Sequence, residues 1–243
     1  MMNKSTTYWL TQSMADVPAE GLCLSSRERN ILEKMRFPKR RNDWGLGRWT
    51  AKRAISVYVG NQYNWQEIEI IAAADGAPQA FLYGKPALIN ISISHSNGQG
   101  LCVIGCQSYA IGGDVEQIAN RSDQFVNDYF TVEEQELVQQ ASPQDRCRMV
   151  TLIWSAKESA LKSLRQGLRQ DTRSIKVRLV NYGENQGWHP LLIECENSGR
   201  LFNGWWRQKG DCVLTVATDA PSSEPVELSL TNQVVIEPAK IGK

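Results

Sequence analysis

Residues 80–116 read AFLYGKPALINISISHSNGQGLCVIGCQSYAIGGDVE, and their texture decides the fold class. From Gln66 to Val115, short β-branched and apolar runs alternate with Gly, Asn, Pro and Asp turn signals, which predicts strands joined by turns. Before this block lie two helical patterns. Ser25 or Ser26 caps a helix to about Arg36, with Arg27, Glu28 and Glu33 on its polar side. Pro38 opens a second helix, which runs to about Tyr58 and is ended by Gly60. TTYWLT at 6–11 reads as an opening strand. After the block, Thr131 with Glu134 three residues on makes a capping box, and Ser142-Pro143 starts a helix to about Leu168. SIKVRLV, HPLLIECE, GRLFNGWWRQ and DCVLTVATD then read as strands, and the tail after Ala220 as a loosely attached terminus with room for one added strand. Helices and strands are segregated in blocks, so the expected class is α+β rather than a wound parallel sheet.

Composition narrows the function. The 243 residues are 42% hydrophobic, enough for one large domain or two small ones. Twenty-seven basic and 26 acidic residues leave a formal charge of +1, which gives no global attraction to nucleic acid or anionic membrane. The six cysteines include no Cys-x-x-Cys pair and the two histidines stand far from paired cysteines, which argues against zinc and for reduced thiols in a cytoplasmic protein. The N-terminus lacks the apolar core of a signal peptide, and no segment reaches the ~20 apolar residues of a membrane span.

Five short motifs carry candidate chemistry. In Trp154-Ser-Ala-Lys-Glu-Ser-Ala-Leu-Lys162, helical spacing makes Glu158 and Lys162 neighbours at the border of an apolar face, while Lys157 projects into that face. Glu158 and Lys162 read either as an ordinary ion pair or as reactive groups. An ammonium at 157 needs an anion or must snorkel out. In Ile111-Gly-Gly-Asp-Val-Glu116, alternation along a strand aims Asp114 and Glu116 to one side. Two such carboxylates either end a strand in solvent or share a hard cation such as Mg²⁺. Gly112 and Gly113 permit close approach or mark a bulge. In Ser92-Ile-Ser-His-Ser-Asn-Gly98, Ser94 and His95 sit where a strand gives way to a turn and can hold phosphate oxygens. The helix from Pro38 places Arg41, Arg48 and Lys52 in one cationic stripe, readable as a phosphate receptor or a solvated face. Tyr83-Gly-Lys-Pro86 is by itself a turn with an exposed lysine.

Taken in order, Gly-Lys-Pro, Ser-His-Ser, Asp-x-Glu and Trp-x-x-Lys-Glu-x-x-x-Lys make residues 38–169 resemble the Sfp-type 4′-phosphopantetheinyl transferase superfamily. The resemblance implies two similar, pseudo-duplicated α+β subdomains, residues 1–112 and 113–222, with the active site in the cleft between them and a C-terminal tail over 223–243. It implies a monomer that transfers the 4′-phosphopantetheine of coenzyme A to a serine of an acyl or peptidyl carrier protein with Mg²⁺. Carried over, Asp114, Glu116 and Glu158 would be metal ligands. Lys162, and Lys157 beside it, would meet the CoA phosphates, with Ser94 and His95 along them. Arg41 and Arg48 would lie near the 3′-phosphate, and Gly84, Lys85 and Pro86 would line the adenine site. Glu158 is the candidate base, directly or through a metal-bound water, Lys162 stabilises the leaving adenosine bisphosphate, and His95 completes the catalytic set. Two positions depart from the family pattern: Gly113 stands where Val or Ile is usual, and Ser92 where Asn is usual. The rival readings are a CoA-binding scaffold without turnover and a metal-dependent nuclease, the latter lacking a lysine at Ile118.

Overall fold

The computed structural model describes residues 5–19, 21–165, 170–180 and 187–229. The first half runs β1 (Tyr8–Ser13), α1 (Ser26–Glu33), α2 (Pro38–Tyr58), β2 (Ile68–Ala72), β3 (Pro78–Leu82), β4 (Lys85–Pro86), β5 (Ile89–Ser96) and β6 (Gln99–Cys106). The second runs β7 (Ile111–Gln117), α3 (Asp123–Tyr129), α4 (Val132–Gln140), α5 (Arg146–Leu164), β8 (Ile175–Leu179), β9 (His189–Cys195), β10 (Arg200–Lys209) and β11 (Cys212–Thr218), before a short β12 (Val226–Glu227). Segregated helix and strand blocks make the fold α+β, as expected. The helix of residues 38–58 keeps the bounds read from Pro38 and Gly60. The last helix ends at Leu164 on a left-handed Arg165, and residues 166–168 of the expected extension lie outside the described residues.

The two halves share one plan. β1 pairs with β6, which pairs with β5; β7 pairs with β11, which pairs with β10. The second half continues through β9 to β8 in one sheet, whereas in the first half β2, β3 and β4 form a sheet of their own. A tight turn explains the break. Tyr83 and Gly84 both have positive φ, the requirement of a two-residue hairpin turn, and this turn hands β3 to β4. Asn97-Gly98 makes the same kind of turn between β5 and β6 and fixes their register, with Ser96 opposite Gln99.

A matching buried ion pair sits in each half. Glu28, third residue of α1, accepts from the Ser25 and Ile70 backbone N–H groups at 2.9 and 3.0 Å and pairs with Lys52 of α2 at 2.7 Å. Lys52 also donates to the carbonyls of Trp65 and Ile68. Glu134, third residue of α4, accepts from Thr131 and Val177 N–H at 2.8 Å each and pairs with Lys157 of α5 at 2.7 Å. Lys157 donates to the carbonyls of Thr172 and Ile175. In each half, capping box, long helix and first sheet strand are thus tied at one point. Burial depresses both ammonium groups, and the facing glutamates oppose it. The polar-side assignment of Glu28 is therefore corrected: its side chain is fully buried because Lys52 and two backbone donors satisfy it.

The halves meet along β7. Trp9, Leu101 and Val103 from the first pack against Val115, Trp188, Leu214 and Val216 from the second. A Cβ on Gly112 would lie 1.8 Å from the Ser159 carbonyl oxygen of α5, and one on Gly113 would lie 2.3 Å from Val103 Cγ2. The double glycine is thus a close approach on both faces of β7, and the unusual Gly113 is explained by Val103 across the seam. Gly112→Ala is expected to destabilise the protein by about 2–3 kcal/mol or more, because the obstructing atom is backbone. Gly45→Ala, at an open position of α2, should stabilise by up to about 1 kcal/mol. Urea unfolding of the two variants reads the contrast, and equal midpoints would refute the close approach.

Candidate active site

β7 delivers two carboxylates to the seam, and β5 supplies three hydroxyls from alternate residues. Ser92 Oγ accepts from Gly113 N–H at 2.9 Å, Ser94 donates to Asp114 Oδ1 at 2.7 Å, and Ser96 donates to Glu116 Oε2 at 3.2 Å. The period of two that aims Asp114 and Glu116 together also aims the serines. α5 closes the arrangement from the second half. Its apolar face is buried in the core, which presents Ser155, Glu158, Ser159 and Lys162 to β7. Ser155 donates to Asp114 Oδ2 at 2.7 Å and shares a hydroxyl network with Thr215 and Ser159. Lys162 pairs with Asp114 Oδ1 at 2.7 Å and reaches the Gly113 carbonyl at 3.3 Å.

Glu116 also pairs with Arg121 at 3.2 Å, and Arg121 lies over the Phe125 ring at 4.8 Å. Glu158 differs: its Oε1 is buried without a hydrogen-bond partner. Burial and then the neighbouring Asp114 charge raise the Glu158 carboxyl above its usual range, Glu116 adds to this, and Lys162 opposes it. Glu116 is raised in the same order of causes, by burial and then Asp114. The three acids therefore act on one another electrostatically. Among the described residues, however, no three His, Cys, Asp or Glu side chains are already gathered at metal-binding spacing. The Lys162 ammonium holds the Asp114 oxygen instead.

Two cavities flank this cluster. One, of about 470 Å³, is lined by Phe37, Lys39, Arg40, Asp43, Trp44 and His95. His95 alternates with Ser94 and Ser96 along β5 and so faces α2, beside Gly47. Its ring keeps an open edge, yet the atoms around it hold the imidazolium below its ordinary range; Asp43 and Asp114 oppose this, while Lys162 and Lys39 add to it. The other cavity, of about 460 Å³, lies between the halves and is lined by Asn90, Ser92 and Ser108 on one side and by Lys162, Arg165 and Arg200 on the other. Lys162 thus touches the acid cluster and the inter-half cleft together.

Several expected site residues lie elsewhere. Lys157 is fully buried on Glu134 and two carbonyls, so its expected contact with phosphates is corrected: the anion it needed is an internal glutamate. Arg41 donates to the carbonyls of Leu32 and Met35 at 2.9 and 3.2 Å, anchoring the end of α1, and it is not among the residues lining the His95 cavity. Lys52, the third of that expected cationic stripe, is the buried partner of Glu28. Arg48 stacks over the Trp44 ring at 4.5 Å, one layer behind the cavity wall, with its Nε buried and unpartnered. Gly84, Lys85 and Pro86 form the turn into β4, with Lys85 and Pro86 exposed, and they are not among the residues lining either cavity. Lys39, Arg40, Arg121 and Ser155 were not among the expected site residues, and Ser96 was expected on phosphate rather than on Glu116. Ser155 had a signal, standing three residues before Glu158 on the helix.

The model of a family described as the 4′-phosphopantetheinyl transferase superfamily matches residues 110–205, which span β7, α3 to α5, β8, β9 and the first part of β10. A holo-[acyl-carrier-protein] synthase of Caldanaerobacter subterraneus subsp. tengcongensis is 32% identical over 103 residues, covering 36% of this chain and 78% of that protein. Among solved structures, the holo-[acyl-carrier-protein] synthase (AcpS) of Thermotoga maritima is similar at a TM-score of 0.35 and 15% identity, over 52% of this chain and 74% of that one.

Proposed function

This chain belongs to the 4′-phosphopantetheinyl transferase superfamily, and from that premise we propose that it transfers the 4′-phosphopantetheine arm of coenzyme A to a serine of an apo carrier protein, releasing adenosine 3′,5′-bisphosphate. The observation that carries this reading is Asp114. Its carboxylate is held by Ser94 from one half and by Ser155 and Lys162 from the other, between two cavities.

The residues fit a hard dication. Asp114, Glu116 and Glu158 offer carboxylate oxygens only, the Glu158 Oε1 is buried without a partner, and the charges of the acids repel one another. We assign these three to Mg²⁺, which when bound would neutralise charge on the diphosphate. CoA carries a diphosphate and a 3′-phosphate, and the cations that border the two cavities are Lys39 and Arg40, beside His95, on one side and Lys162, Arg165 and Arg200 on the other. Lys39 and Arg40 thereby take the role first given to Arg41.

The reaction forms a bond from the carrier serine oxygen to the β-phosphorus and breaks the bond to the bridging oxygen. Glu158 accepts the serine proton. Lys162 offsets the charge that develops on the leaving bisphosphate. Among the described residues no helix is long and apolar enough to cross a membrane.

The test mixes the purified chain with CoA, Mg²⁺ and a panel of apo acyl- and peptidyl-carrier proteins and weighs the carriers by mass spectrometry. The expected outcome is the phosphopantetheine increment on at least one carrier, abolished by EDTA. CoA binding by calorimetry with no increment on any carrier would favour the scaffold reading.

A further inference from the structure

A third cavity lies away from the acid cluster, beside the C-terminal end of α2. It measures about 390 Å³ and is lined by Arg53, Ser56, Asn61, Tyr63, Trp65 and Gln66 among others. Arg53 is the one charged residue in its lining. The guanidinium carbon lies 5.5 Å from the Trp49 ring centroid and 5.5 Å from that of Trp65, and the two indoles meet edge to face at 5.0 Å. Arg53 Nε is buried with no hydrogen-bond partner.

The nearby acids take their hydrogen bonds from other donors, and Asp16 acts on Arg53 through its charge alone. Glu28 pairs with Lys52, Asp16 accepts from the Ser13 N–H and hydroxyl, and Glu67 accepts from the Asn64 N–H. A buried donor left without an acceptor is less favourable than an apolar side chain in the same place. The two indoles hold the guanidinium at the wall of the cavity.

Ser56 and Asn61 also line the cavity. The Ser56 hydroxyl donates to Asn61 Oδ1 at 3.0 Å, which leaves the Asn61 amide N–H bonds directed elsewhere. Asn61 has a left-handed φ of 56° and is held at the helix end by its N–H on the Ser56 carbonyl at 2.7 Å. The guanidinium, whose Nε has no acceptor, and the flanking aromatic rings make an oxyanion receptor with room for an organic body.

We propose that this cavity is a second ligand site, which takes a small organic anion by its carboxylate or phosphate group against the Arg53 guanidinium, independently of the site at Asp114. The fork of a guanidinium matches two oxygens of either group. The rings of Trp49, Trp65 and Tyr63 would border the remainder of the ligand.

The experiment uses the full chain labelled with 5-fluorotryptophan. The ¹⁹F resonances of Trp65, in the third cavity, and Trp44, in the His95 cavity, are assigned by Trp→Phe variants. Inorganic phosphate and citrate are titrated separately. The expected result is a saturable shift of the Trp65 resonance with at least one probe, weakened at least tenfold in Arg53→Gln, while the Trp44 response is unchanged by that substitution. The probe that saturates at lower concentration identifies the class. Asn61→Asp, at an exposed left-handed position that aspartate tolerates, should weaken the same shift through its charge and serves if Arg53→Gln does not fold. A Trp65 resonance that does not move, moves without saturating, or saturates equally in the variants overturns the proposal. Loss of carrier modification alone leaves this readout untouched, so the two readings fail separately.

Discussion

Asp114→Asn is expected to lower phosphopantetheine transfer by about a thousandfold or more while leaving the protein folded. Asparagine has the size of aspartate, so packing at the seam is kept. The Ser94 and Ser155 hydroxyls, which donate to Asp114 now, can turn to suit an amide. Lys162 loses its partner, but its side chain is 27% exposed and can turn to water. What disappears is the negative charge on which the metal assignment and the Lys162 position both rest. The loss should therefore fall on kcat more than on the KM for CoA, and steady-state kinetics beside a thermal melt separates the two. A variant within tenfold of the parent rate would end the assignment of Asp114 to the metal.

Lys157→Met should cost about 3–5 kcal/mol of stability, because it strands a Glu134 carboxylate that is 2% exposed. Against a total folding stability of about 5–15 kcal/mol, that is a large fraction. Adding Glu134→Gln should recover part of it, since the amide oxygen can still accept from Thr131 or Val177 N–H. Lys52→Met should behave alike against Glu28. Urea melts at fixed pH measure the series. If Lys157 instead held a phosphate of CoA, its replacement would raise the KM for CoA in the molecules that remain folded. An unchanged KM is expected.

The legible parts of the sequence were those governed by local rules. Pro38 and Gly60 bounded a helix, Thr131 with Glu134 and Ser25 with Glu28 marked capping boxes, and strand alternation put Asp114 and Glu116 on one side. What was not legible depended on which surfaces meet. Helical spacing put Lys157 on an apolar face but could not name Glu134, from another helix, as its anion. Spacing also grouped Arg41 with Arg48, yet the tilt of α2 against β5 brings Lys39 and Arg40 to His95 instead. The serines of β5 read as phosphate ligands, whereas they bind β7 about twenty residues onward. The duplication of the halves showed only through the family resemblance and a similar helix-then-strand order, because it is kept in contacts, a glutamate at a helix start and a lysine on the next long helix, rather than in any repeated string of residues.

The last described strand has a temporal consequence. β12 lies parallel to β1, with Tyr8 opposite Val226, and Leu228 is buried among Leu10, Ile55 and Ile104 of the first half. On the ribosome, synthesis proceeds from the N-terminus, so this border of the first sheet stays open while more than half of the polypeptide is still being made. An uncovered strand border invites pairing with other nascent chains. The half that emerges earliest is therefore the last to be sealed, and its maturation waits on the translation of its own far end.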